Sequence, residues 1–135
     1  MSEENVELAR RYVESFNQGG LEATEPLRHP EIEAFDPPTF PDAGRYVGEA
    51  ELRKLVEDYL EIAWDGKFHD PEFIDGGDEV LVIWRFRGES GHGGGFPFEE
   101  TISHIYLFED GKLRRIRQFM SREEGLEAVG LAKPG

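Results

Sequence analysis

Apolar residues recur at helical spacing over the first part of the chain. They would form one buried stripe, which consists of Val6, Ala9, Tyr12, Val13 and Phe16. Ser2 can cap the start of this helix, and the segment at residues 17–20 contains two glycines that would end it. The pattern therefore predicts an N-terminal helix that turns the phenol of Tyr12 toward the core.

Two further helices and a short strand are predicted in the first half of the chain. Residues 21–27 form a short helix, and residues 32–35 form a strand. The prolines at positions 37, 38 and 41 lack backbone donors, so this segment is expected to be a rigid loop over one end of the core. Residues 48–64 form the longest helix, with an apolar face made of Leu52, Leu55, Val56, Tyr59, Leu60 and Ala63.

The second half of the chain is predicted to be mostly strands. Four strands are expected over residues 67–74, 79–88, 96–108 and 112–120, and the third and fourth are joined by a tight hairpin turn. The Gly-rich stretch at 88–95 is expected to be a loop between two antiparallel strands. Ser121 then starts a last short helix with a capping-box pattern. Helices followed by an antiparallel sheet predict an α+β domain, with three N-terminal helices covering one face of the sheet.

Alternation along the strands separates the two faces of this sheet. On the second strand, the apolar set Val80, Val82, Trp84 and Phe86 is assigned to the helix-covered face. On the last two strands, parity leaves open which set faces the helices, because a β-bulge would exchange them.

Composition narrows the functional classes. The chain has 135 residues, which suits one domain over 1–135, and its net charge of −14 argues against binding to nucleic acids or anionic membranes. The absence of cysteine excludes disulfides and thiolate catalysis. The four histidines lack metal-ligand spacing, so neither a metal nor a cofactor is expected. Without a signal-like N-terminus, the expected location is cytoplasmic.

The order of elements resembles the nuclear transport factor 2-like superfamily, which includes ketosteroid isomerases and SnoaL-type polyketide cyclases. This resemblance covers nearly the whole chain and implies a cone-shaped, curved sheet wrapped by helices. Its marks are Arg11-Tyr12-Val13 with Asn17-Gln18-Gly19 and Leu21, then Tyr46-Val47-Gly48, and finally Asp110-Gly111-Lys112. Because this fold hosts many activities, the reaction has to be argued from the site.

Similarity to ketosteroid isomerase implies roles for three residues. Tyr12 would donate a hydrogen bond to a developing enolate, and Asp36, followed by Pro37, would carry the proton. Ser103 falls at the place of a protonated aspartate in that family, where its hydroxyl is a weaker donor. Gln118 falls near the acid of the cyclases and cannot take a proton. The residues themselves also allow Tyr12 to be a core tyrosine and Asp36 to be a turn residue.

The preferred hypothesis is a pocket enzyme, an isomerase or lyase, that acts on a small apolar carbonyl compound. Asp36 would be the general base, and Tyr12 and Ser103 would assist the oxyanion. The expected substrate contacts are Phe16, Phe35, Tyr59, Trp84, Phe86, Ile116, Gln118 and Met120. The alternative is a non-catalytic ligand-binding or dimeric accessory domain of the same fold.

A homodimer is predicted on the face of the sheet away from the helices. By the parity expected on the third strand, His104 lies opposite Ser103 and beside other apolar and aromatic residues. The predicted interface consists of Ile83, His104, Tyr106 and Phe108, which makes His104 an interface residue.

Overall fold

A computed structural model describes residues 2–89 and 96–130 and contains one six-stranded sheet with helices against both faces. Helix α1 spans Ser2–Ala23 and α2 spans Gly48–Ile62. Both pack on the same face of the sheet. Helix α3, at Arg122–Ala128, lies on the opposite face. The predicted α+β class with a helix-covered sheet is confirmed, although the third N-terminal helix is only a 3₁₀ turn at Glu25–Leu27.

The ends of the helices follow from local chemistry. Gly20 adopts φ +73° and breaks α1, as the two glycines predicted, and the chain makes one more turn before the 3₁₀ segment. At α3, the Ser121 hydroxyl accepts the Glu124 amide at 3.1 Å, and the Glu124 carboxylate accepts the Met120 amide at 3.2 Å. This reciprocal pair forms the predicted capping interaction.

The strands agree with the predicted order along the chain and add one short strand. Their bounds are β1 Arg28–Phe35, β2 Arg45–Val47, β3 His69–Asp75, β4 Glu79–Glu89, β5 Pro97–Glu109 and β6 Lys112–Phe119. They are arranged β2-β1-β6-β5-β4-β3. Strands β4 and β5 pair antiparallel as expected, while residues 90–95 of the predicted Gly-rich loop lie outside the described residues. The prediction of a fully antiparallel sheet is wrong for one pair, because β1 runs parallel to β6.

The hairpin between β5 and β6 contains a β-bulge that changes the register. Phe108 pairs with Leu113, but the next described pair is Leu107 with Arg115, so Arg114 is the additional residue. As a result, Gln118 lies opposite His104, whereas an unbroken hairpin would place it opposite Ser103. Cross-strand partners share a face, so Gln118 and His104 point to the same side of the sheet.

The two faces of the sheet differ from the prediction on β5. The face under α1 and α2, called here the inner face, includes Val82, Trp84, His104, Tyr106 and Ile116. The outer face includes Leu81, Ile83, Ser103, Ile105 and Phe119 and is partly covered by α3. Val82 pairs with His104 and Ile83 with Ser103. The prediction that Ser103 belongs to the pocket is therefore wrong.

This arrangement also corrects the predicted dimer surface. His104, Tyr106 and Phe108 lie on the inner face, and Tyr106 is completely buried. Ile83 is on the outer face but is buried in the cluster that α3 packs against. None of the four side chains forms an open outer surface, and the homodimer itself stays a prediction.

A partly buried ion pair connects the first helices to the sheet. Arg28 starts β1, and its side chain is 1% exposed. Its Nε and Nη2 donate to the two carboxylate oxygens of Glu49 at 2.8 and 2.6 Å, and Nη1 donates to the Leu21 carbonyl at 2.8 Å. This guanidinium therefore joins the end of α1 to the first turn of α2 beside the inner face. Within residues 2–89 and 96–130, no helix combines the length and apolar character needed to cross a bilayer.

Candidate active site

A largely apolar cavity lies between the inner face of the sheet and helices α1 and α2. Its volume is about 70 Å³, the space that roughly two water molecules take up in the liquid. An apolar cavity that holds benzene measures about 150 Å³, so even a small ring enters this one only if wall side chains move. Its lining includes Ala34, Leu52, Leu55, Val56, Trp64, Phe68, His104 and Tyr106, which the sequence did not single out as pocket residues.

Most of the residues predicted for a pocket line this cavity. The set consists of Tyr12, Phe16, Phe35, Asp36, Tyr59, Trp84, Phe86, Ile116 and Gln118. Met120 is not among the lining residues. It is partly buried against the main core, and its sulfur lies 4.0 Å from the Gln118 amide nitrogen.

Ser103 is also absent from the cavity. Its hydroxyl donates to the Ser121 carbonyl at 2.7 Å on the outer face. The backbone of α3 approaches it so closely that a Cβ at Gly125 would lie 2.6 Å from the Ser103 oxygen. The structure therefore places Ser103 as a support for α3, on the far side of the sheet from Tyr12 and Asp36.

Asp36 lies at the end of β1, where its half-buried side chain reaches the cavity. Its Oδ2 accepts the Gly44 amide at 3.0 Å and the Tyr46 hydroxyl at 2.9 Å, while its own amide donates to the Gly44 carbonyl at 3.0 Å. These bonds close the proline-rich loop. They engage one carboxylate oxygen and leave Oδ1 without a hydrogen bond to a described residue.

Asp36 affects the pKa of Tyr46, the tyrosine that donates a hydrogen bond to it. Burial, together with the hydrogen bond to Asp36 and its charge, raises the pKa of Tyr46 to about 12. Tyr46 therefore remains a neutral donor at neutral pH and fixes the orientation of the carboxylate. In the amino-acid sequence, the position of Tyr46 before α2 is the only sign of this contact.

The hydroxyl of Tyr12 is used inside the protein. Burial raises the pKa of Tyr12, and the charge of Arg28 and hydrogen bonds with Thr24 and Arg28 oppose that rise. Thr24 donates its own proton to the Leu21 carbonyl at 2.7 Å, and a guanidinium can only donate. The Tyr12 hydroxyl therefore lies beside Thr24 and Arg28, and the ring of Tyr12 forms cavity wall.

His104 is the polar wall residue that sequence reasoning placed on the wrong face. It packs against Trp84 and Phe68, with ring centroids 5.2 and 5.8 Å apart. Burial lowers the pKa of His104 to about 4, so the imidazole is neutral at pH 7. Its Nε2 lies 3.1 Å from the Gln118 oxygen, and its Nδ1 lies 3.3 Å from the Tyr106 hydroxyl. Recognising this residue from sequence would have required the bulge in the β5–β6 hairpin.

One group of side chains in the described ranges has metal-like spacing, but its protonation argues against a metal. His29, Glu109 and Asp110 lie together near the β5–β6 turn, away from the cavity. The Glu31 amide donates to His29 Nδ1 at 3.0 Å, so the neutral ring carries its proton on Nε2, which faces Glu109. Metal binding through Nε2 would move that proton to Nδ1 and break the bond to Glu31.

Sequence comparison agrees with this architecture. The profile of the SnoaL-like domain family matches residues 9–116. The chain belongs to the SnoaL-like domain family. This confirms the resemblance to the nuclear transport factor 2-like superfamily. No curated protein sequence matches the chain.

Solved structures of similar shape share the fold at low sequence identity. An NTF2-like protein from Burkholderia thailandensis E264 has a TM-score of 0.72 at 23% identity, covering 96% of this chain and 98% of that one. A candidate polyketide cyclase from Xanthomonas campestris pv. campestris has a TM-score of 0.70 at 16% identity, with coverages of 96% and 98%. A candidate isomerase from Bacillus subtilis has a TM-score of 0.69 at 18% identity, with coverages of 96% and 95%. At these identities the likeness shows the fold alone.

Proposed function

We propose that this protein catalyses proton transfer on a small, neutral, apolar carbonyl compound. The observation that carries the proposal is the charge distribution of the cavity. Among the described lining residues, Asp36 supplies the single carboxylate, none is Lys or Arg, and His104 is neutral. A lone acid beside a small apolar cavity suits abstraction of a proton next to a carbonyl and disfavours an anionic substrate.

The proposed step conserves electrons and atoms. Asp36 takes a proton from the carbon next to the carbonyl, the C–H electron pair forms the enolate double bond, and the carbonyl π pair moves to oxygen. The resulting carboxylic acid returns the proton to the same carbon or to a conjugated one. Resemblance to ketosteroid isomerase implies Tyr12 as the donor to this oxyanion, but the Tyr12 hydroxyl lies beside Thr24 and Arg28, so the proposed step gives it no role.

Hydrogen–deuterium exchange at carbon tests this function. The protein is incubated with cyclohexanone in D₂O, and loss of the α-proton signal is followed by NMR. We expect exchange faster than in buffer alone, and a loss of about 10²- to 10⁴-fold in Asp36→Asn. Asp42→Asn changes an exposed aspartate of the same loop and serves as the matched control. Equal exchange by Asp36→Asn and the unchanged protein would remove Asp36 from the reaction.

A second candidate function is ligand binding without turnover. It is favoured by the engagement of Asp36 Oδ2 in closing its own loop. Binding of cyclohexanone with no exchange above the buffer rate, in both the unchanged protein and Asp42→Asn, would support this alternative.

A further inference from the structure

A chain of four polar side chains crosses the otherwise apolar cavity wall. It runs from Tyr106 to His104 at 3.3 Å, from His104 to Gln118 at 3.1 Å, and from Gln118 to the Tyr59 hydroxyl at 3.4 Å. All four residues line the cavity. The proposed proton transfer uses none of them, so their arrangement needs its own explanation.

Burial determines which way the protons point along this chain. Tyr106 is completely buried, and among the described residues its hydroxyl has one hydrogen-bond partner, His104 Nδ1. If Nδ1 carried the imidazole proton, the Tyr106 proton would be buried without an acceptor, which is costly. Tyr106 therefore donates to Nδ1, and the imidazole proton is on Nε2.

The directions of the other hydrogen bonds follow from the proton on His104 Nε2. The Nε2–H of His104 donates to the Gln118 oxygen, so the Gln118 amino group faces Tyr59 and donates to the Tyr59 oxygen. This orientation also turns the amino group, and not the carbonyl, toward the Met120 sulfur. Every donor up to Tyr59 is used, and the proton left over is that of the Tyr59 hydroxyl.

Tyr59 is suited to offer that proton to a ligand. Its side chain is half-buried on α2 and lines the cavity. Within the described ranges, its O–H has no acceptor at hydrogen-bond distance. Burial and the nearby charge of Asp36 raise the pKa of Tyr59, so it stays protonated at neutral pH. Donors aligned head to tail also polarise one another, which strengthens the last donor of the chain.

We propose that Tyr59 binds the acceptor oxygen of the ligand, and that the relay Tyr106–His104–Gln118 fixes this hydroxyl as a donor. The inference rests on the proposed function and narrows the ligand class to uncharged small rings with one acceptor oxygen, such as cyclic ketones. Tyr59 then binds that oxygen in place of Tyr12, whose hydroxyl lies beside Thr24 and Arg28. Asp36 lines the same cavity, and its charge acts on the Tyr59 hydroxyl.

A pair of probes of similar shape tests this assignment. Cyclohexanone carries the acceptor oxygen, and methylenecyclohexane replaces it with a carbon. Binding is measured by fluorescence of Trp64 and Trp84, the two tryptophans of the chain, which both line the cavity. The carbonyl ¹³C shift of labelled cyclohexanone reports the hydrogen bond directly. The ketone-to-alkene affinity ratio should be about 2- to 12-fold higher in the unchanged protein than in Tyr59→Phe, which is the value of one neutral hydrogen bond; this excess is the ketone preference.

Three variants separate the possible donors. Tyr59→Phe should abolish the preference for the ketone and the downfield ¹³C shift. Tyr12→Phe, the matched change on the same wall, should retain both. Gln118→Glu should abolish the preference although Tyr59 keeps its hydroxyl, because a carboxylate would accept the protons of both His104 and Tyr59. Circular dichroism and thermal melting check that each variant is folded.

The outcomes that overturn the inference are distinct from those that overturn the proposed function. Retention of the ketone preference by Tyr59→Phe, or its loss in Tyr12→Phe, would refute the role of Tyr59. Failure of both probes to bind the unchanged protein would refute the ligand class. Asp36→Asn should bind cyclohexanone with its preference intact, so a loss of exchange in that variant concerns the proton transfer alone.

Discussion

A buried, neutral histidine makes folding stability depend on pH in a way that can be measured. Burial lowers the pKa of His104 from 6.5 to about 4. The unfolded chain therefore takes up a proton at a higher pH than the folded protein does. Stability from this source is complete above pH 6.5, declines as the pH falls, and changes no further below about pH 4.

The size of the effect follows from the shift. Moving the pKa from 6.5 to about 4 corresponds to about 3 kcal/mol in total. Between pH 7.5 and 4.5 most of this is expressed, so the free energy of unfolding should fall by about 2 to 3 kcal/mol through His104 alone. Tyr106, the titratable neighbour in contact with the ring, does not add to this change, because burial raises its pKa well above 10.

The assay is urea unfolding followed by tryptophan fluorescence at both pH values. The comparison is with His104→Gln, whose amide can donate to Gln118 but does not titrate. Carboxylates lose stability with acid in both proteins, so their contribution cancels in the difference. The variant should be about 2 to 3 kcal/mol less sensitive to acid than the unchanged protein. Equal sensitivity would show that the imidazole is not held neutral in the folded state and would refute the proton directions assigned to the relay.

Two further changes test contacts outside the cavity. Ser103→Ala should lower the free energy of unfolding in urea by about 0.5 to 1.5 kcal/mol, because its hydrogen bond to the Ser121 carbonyl is lost. The affinity for cyclohexanone should not change. Weaker binding would count against the placement of Ser103 on the outer face. Glu49→Gln should lower the free energy of unfolding by about 1 to 3 kcal/mol at pH 7, because the buried Arg28 loses its anion. The effect is limited because Glu49 itself is 42% exposed. Glu57→Gln, at an exposed position of the same helix, is the control. Arg28 lowers the pKa of Glu49 in the folded protein. The stabilisation by this ion pair is therefore present above the unfolded pKa of about 4.5 and is lost as the pH falls through the folded pKa. A difference between Glu49→Gln and the unchanged protein that persists in strong acid would contradict this.

The local sequence pattern was sufficient to predict the helices, most strands and part of the candidate site. The apolar stripe of α1 and the glycine that breaks it could be predicted because helix periodicity and positive φ are properties of a few neighbouring residues. The position of Asp36 beside the cavity followed from the end of β1. The contact of its carboxylate with Tyr46 could not be predicted in this way, because it depends on how the proline-rich loop folds back.

The sequence by itself determined the α+β class and most of the side chains that line the cavity, Asp36 among them. Only the tertiary structure decided that His104 faces the cavity while Ser103 faces α3. Alternation defines two faces within a strand but not which face meets the helices, and one additional residue at the β5–β6 bulge changes every pairing beyond it. The relay that ends at Tyr59 depends on that register, because its members come from α2, β5 and β6 and meet only when the strands are paired as observed.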